Sequence, residues 1–126
     1  VDLVISAWSF SYLKVWSEED WVPEIEQGLR EVRRVLRGGG DFLVIETLGT
    51  GYTAPVRLDF LEDYFGFLES AGFNHTWVRT DYRFASRDEA ESLAGFFFGD
   101  EIIEKLSNGA QPVLPECTGL WWKNNP

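Results

Sequence analysis

"REVRRVLRGGGDFLVIE", residues 30–46, decides how the chain is read. Apolar residues recur through and before it at Trp21, Ile25, Leu29, Val32 and Leu36. Steps of three and four residues predict an amphipathic helix. After it, Phe42 to Ile45 is an unbroken apolar run, which predicts a fully buried strand. Gly38, Gly39 and Gly40 stand between the two. A phosphate-cradling glycine loop follows a strand and opens a helix, so that free N–H groups and the positive dipole end face the anion. These glycines have the opposite setting, beside free carbonyls and a partial negative charge. They are expected to end the helix, one of them in the left-handed conformation past its last turn, and not to bind a nucleotide.

Working outward, "VDLVISA" at 1–7 predicts a buried strand and "WSFSYLKVW" at 8–16 a loop or short helical turn. Ser17 is placed to cap the helix, with Glu18, Glu19 and Asp20 favourable at its positive end. Strand, helix and strand with short joints form a βαβ unit, whose crossover is right-handed in nearly all cases. A second amphipathic helix carries Leu58, Leu61, Phe65, Leu68 and Ala71 and stops at Gly72. "FNHTWVRTDYRF" at 73–84 predicts a strand, and "SRDE" at 86–89 a capping box opening a helix through Phe98. A short helix at Asp100–Leu106 and a last strand, "PECTGLWWKN" at 115–124, complete an α/β chain. Residues 1–126 are read as a single domain, with 85–114 a helical insert between the last two strands.

Composition narrows the function classes. Aromatics make up 16% of 126 residues, which argues against disorder. A net charge of −10 disfavours nucleic-acid phosphates and anionic lipid as partners. No apolar run approaches the ~20 residues of a membrane span. Cys117 is the one cysteine, so no internal disulfide forms; a reducing, cytoplasmic setting fits. With one histidine and scattered carboxylates, no metal is expected. His75 has little support as a catalytic base, Cys117 reads as a packed thiol, and Glu18–Asp20 as charge at a helix start. The chain has no Met and opens inside a strand-like run, so it is expected to be a piece of a longer protein.

"VDLVISAWSFSYL", the helix ending "REVRRVLRGGG" and "DFLVIETLGTG" together resemble the second half of the class I S-adenosylmethionine-dependent methyltransferases, small-molecule branch (type 11-like). Asp2 matches the aspartate of the family strand, Tyr12 falls where the family often has histidine, and Arg34-Val35-Leu36 with Gly39-Gly40 match its second motif. "SAGF" at 70–73 and the aromatic last strand are also similar. The resemblance covers essentially the whole chain. It implies a partial Rossmann-like sheet, strands 4-5-7-6 in family numbering, with the last strand antiparallel. The family's glycine-rich turn after its first strand and the acidic residue ending its second are missing here. Both belong to pieces that would lie upstream.

The resemblance implies that Ser6, Ala7 and Trp8 lie near the methionine part of S-adenosylmethionine. Trp8 and Tyr12 would offer ring faces to its sulfonium, or close over the core as loop aromatics. Tyr12, Glu46 and Thr47 are candidate contacts to a small-molecule methyl acceptor. Glu46 would serve as a base if burial raised its pKa, or is a solvated strand-end carboxylate. Methyl transfer to an activated carbon relies on positioning, and no catalytic motif stands out. Gly49–Pro55 and Ser86–Leu114 are expected to shape the acceptor pocket. S-adenosylmethionine is not expected to bind these residues alone. Two rivals remain: a cofactor-free interaction or structural module that self-associates through Val1–Ser6, an unpaired edge, and a dehydrogenase-like nucleotide fold, which lacks its own fingerprint.

Overall fold

The computed structural model describes residues 1–126. Its strands are β1 (Leu3–Ala7), β2 (Asp41–Thr50), β3 (Asn74–Arg79), β4 (Tyr82–Arg83), β5 (Val113–Leu114) and β6 (Glu116–Asn124). Its helices are α1 (Tyr12–Ser17), α2 (Trp21–Val35), α3 (Glu62–Ser70) and α4 (Arg87–Phe98). Four strands form one sheet in the order β1-β2-β6-β3, and β4 and β5 form a separate antiparallel pair. β1 and β2 are parallel, Leu3 opposite Asp41 and Ala7 opposite Ile45. β6 ends where β2 begins: the Asn124 amide donates to Gly39 O at 3.0 Å and to Asp41 Oδ1 at 3.2 Å, so these neighbours run in opposite directions.

The chain divides into two compact units. The first holds Val1–Glu46, Arg57–Thr76 and Gly119–Pro126. Its core follows from two periodicities. α2 buries Trp21, Ile25 and Leu29, one helical face, and β2 buries Phe42, Val44 and Glu46, every second residue. α3 adds Tyr64, Phe65 and Leu68, and Phe65 stacks flat on Trp121 of β6 with ring centroids 4.6 Å apart. Trp121 is buried and Trp122 is not, as strand alternation requires.

The helix ends are built in different ways. Ser17 does not cap α2: a 3₁₀ turn at Glu18–Asp20 intervenes, and Asp20 takes the capping position without a side-chain bond. At the other end Leu36 turns extended, and the left-handed glycine expected among Gly38–Gly40 is Gly39. Gly40 N–H closes a four-residue turn on Arg37 O at 3.0 Å, with Gly39 third in it at φ +79°, where glycine is favoured. α3 instead ends as expected. Gly72, at φ +86°, donates to Glu69 O, and Phe73 donates to Leu68 O, the double bond pattern of a Schellman cap.

The second unit holds Thr47–Val56 and Trp77–Thr118. Ala90 and Ala94 of α4 bury against Leu106 and Leu114, with Phe84, Ile102 and Ile103 around them. The predicted capping box forms: Glu89 N–H donates to Ser86 Oγ at 3.1 Å, and Glu89 Oε2 accepts from Ala85 N–H at 2.7 Å. The region from Asp100 to Lys105 is a 3₁₀ turn.

Three expectations about the strands fail. The strand expected over 73–84 divides into β3 and β4, which belong to different sheets. Within Phe42–Ile45, Phe42 and Val44 are buried but Leu43 and Ile45 only partly so. β1 is not fully buried; Leu3 and Ile5 are 50% and 55% exposed. Its β-branched sequence is that of a two-sided interior strand, but β2 is its one neighbour in the sheet.

Candidate functional site

The sequence points to the carboxyl end of β1 and the segment after it. Trp8 leaves the strand at φ +47°, a conformation rare for a bulky side chain, and its N–H still bonds Ile45 O at 2.8 Å. This bend turns the chain from β1 into α1. Ser6 and Ser9 hydroxyls lie 2.9 Å apart. Trp8 and Tyr12 are about half exposed, and the Tyr12 ring lies 5.2 Å from that of Trp16, which is exposed. Trp8 and Tyr12 therefore do not close over the core. Phe10 does, edge-on to Phe42 at 5.5 Å.

Glu46 is buried, so it is not the solvated strand-end carboxylate considered above. Its two oxygens are turned on the segment after β1. Oε1 accepts from Ser11 N–H at 3.1 Å and from Tyr64 OH at 3.2 Å, and Oε2 accepts from Ser11 Oγ at 3.0 Å. Burial pushes the Glu46 carboxyl above its usual range, against these three bonds. Burial, and the neighbouring Glu46 charge, push the Tyr64 phenol up as well. The Lys14 ammonium of α1 pairs with Asp63 of α3 and holds that carboxyl below its usual range. The segment bearing Trp8 and Tyr12 is thus held at Ser11 by Glu46 and at Lys14 by Asp63. Ser11 and Tyr64 were missed by sequence reasoning. Parity could have found them: Glu46 shares the face of Phe42, Val44 and Leu48, and a carboxylate there needs donors.

Thr47 belongs to the second unit. Its hydroxyl donates to Glu116 Oε1 at 2.8 Å and accepts from Gly49 N–H at 3.2 Å. Glu116 is buried, its second carboxylate oxygen has no hydrogen-bond partner, and its backbone N–H donates to Asp81 Oδ1 at 3.0 Å. Arg79 grips Asp81 with two bonds, at 2.9 and 2.8 Å, and holds its carboxyl below the usual range.

The remaining candidates take structural places. Cys117 is buried, its Sγ 3.4 Å from Tyr52 O, and burial pushes the thiol up, as for a packed side chain. His75 lies on β3 beside Glu69, with its ring 6.2 Å from Trp121. No three His, Cys, Asp or Glu converge on one point, and no helix is long and apolar enough to cross a membrane.

The residues present fit one end of S-adenosylmethionine. Two half-exposed aromatic faces at the end of a parallel strand suit a sulfonium. Glu46, the strand-end carboxylate, is engaged by Ser11 and Tyr64.

No protein-family model matches the chain, and neither does any curated protein. Among solved structures it is similar to a protein of Bacillus halodurans C-125 described as a candidate methyltransferase. Identity is 16% and the TM-score 0.44, over 99% of this chain. The chain spans 64% of that protein's length.

Proposed function

We propose that these 126 residues are the C-terminal portion of a class I S-adenosylmethionine-dependent methyltransferase acting on a small molecule, and that alone they do not methylate. One observation carries the reading: the last strand lies between β2 and β3, giving the order β1-β2-β6-β3. That is 4-5-7-6 in the numbering implied by the resemblance, with β1–α2–β2 as its parallel crossover and Arg34–Gly40 at the joint.

On this reading Ser6, Ala7, Trp8 and Tyr12 line the methionine side of the cofactor, whose sulfonium supplies the transferable methyl group. Glu46 holds the backbone that presents them, through Ser11, and is a positioning residue. Thr47 stands toward the acceptor. The nucleoside contacts belong to residues upstream of Val1.

Reading the coding sequence upstream of Val1 tests this. A strand, a glycine-rich turn and a helix are expected within about 100 residues, the span of three βα units. An upstream frame with no such element would contradict the proposal.

The open edge of β1 favours a second reading, a non-catalytic interaction module. It requires no cofactor at all, and the same upstream sequence discriminates the two.

A further inference from the structure

Glu116 holds a buried carboxylate that the protein serves on one side only. It opens β6 within the second unit, is 2% exposed, and accepts the Thr47 hydroxyl at Oε1. Its backbone is engaged in both directions, N–H to Asp81 Oδ1 and C=O from Thr80 N–H, each at 3.0 Å. Oε2 receives no donor from the protein. A buried carboxylate oxygen without a donor is costly. The cations around it are turned elsewhere: Arg79 grips Asp81 with two bonds, Arg83 also acts on Asp81, and Lys105 lies over the Tyr52 ring at 5.2 Å.

Aromatic faces stand beside this carboxylate. The Tyr82 phenol is pushed up by burial and then by the Glu116 charge, which puts that charge near the ring. Tyr82 and Phe98 lie 5.7 Å apart, their rings tilted by 50°, and both side chains are about two-fifths exposed. Tyr82 sits on a two-residue strand whose one partner is β5. A half-exposed ring there is free to turn aside on a fast timescale and open a path to Oε2.

We propose that Glu116, Tyr82 and Phe98 bind a small primary alkylammonium ion, with one N–H donating to Glu116 Oε2 and the alkyl part against the two rings. The missing partner is a donor, which excludes a quaternary ammonium. A guanidinium would need both carboxylate oxygens for its fork, and Thr47 already occupies Oε1. A cation matches the carboxylate charge and is drawn to the ring faces, as a neutral alcohol is not. The site lies within one unit, goes beyond the methyltransferase reading and does not depend on it.

The probe is n-propylammonium chloride, titrated into tyrosine-labelled protein expressed from the whole reading frame and followed by nuclear magnetic resonance. Tyr82→Phe assigns the ring signal, which is expected to shift saturably. Tetramethylammonium has the same charge and no donor, and should bind about tenfold or more weakly, the loss of one charge-assisted hydrogen bond. Glu116→Gln keeps an acceptor for Thr47 but removes the charge, and should weaken propylammonium about tenfold or more while far-ultraviolet dichroism is kept. Phe98→Ala, at a partly exposed position, should weaken it about two- to fivefold. No saturable shift, equal binding of the two cations, or undiminished binding by either variant would overturn the proposal. If Glu116→Gln fails to fold, the comparison of the two cations and Phe98→Ala still decide.

Discussion

Glu46 is the residue on which the candidate site turns. A carboxylate on the interior face of β2 is costly unless donors meet it, and Ser11 and Tyr64 supply three bonds. Glu46→Ala strands the Ser11 N–H and the Tyr64 hydroxyl, and should lower unfolding free energy by about 1–3 kcal/mol in urea titrations. A loss within ~0.5 kcal/mol, the range of neutral surface changes, would show that the network is idle. The pH dependence has a definite sign. The folded Glu46 carboxyl sits above its ordinary value of 4.5. Its contribution is therefore full below that value and is lost as pH rises through the folded pKa. Asp63 and Asp81, held low, contribute in the opposite sense: their share is present above their ordinary 3.8 and lost as pH falls. The advantage of the native chain over Glu46→Gln should shrink as pH rises from about 4.5. An advantage that grows with pH would contradict the burial argument. Glu46 was visible as a candidate in the sequence. Its role was not, because Ser11 lies 35 residues away and only the fold brings the two together.

At the scale of elements, signals made by neighbours in sequence were the legible ones. The helix face of Trp21, Ile25 and Leu29, the stop at Gly72 and the Ser86–Glu89 capping box all rest on residues a few positions apart. Ser86→Ala should therefore cost about 1 kcal/mol, read as a shift of the urea midpoint without a change in slope. No shift would mean that the cap adds nothing to α4. Elements defined by distant partners were not legible. β4 and β5 are two residues each, and pairing Tyr82 with Leu114 leaves no local pattern. The half-exposure of β1 depends on which strands flank it, whereas its own residues read as interior. Ser17 was misplaced for a smaller reason: three acidic residues after it form a 3₁₀ turn before the helix begins.

At the scale of the molecule, the sheet joins a parallel pair, β1 and β2, to a last strand set between β2 and β3. An aromatic segment stands at the carboxyl end of β1, the end where open α/β sheets bind ligands. What the chain carries is a strand end and a wall of aromatic side chains; it carries no glycine turn for a nucleoside. The most direct measurement is a calorimetric titration of S-adenosylhomocysteine into the protein encoded from the start of its reading frame, alongside the 126-residue chain. Binding by the longer protein and none by the 126 residues is the result expected for half of a methyltransferase site. Absence of binding by either would contradict the methyltransferase reading and leave the interaction module.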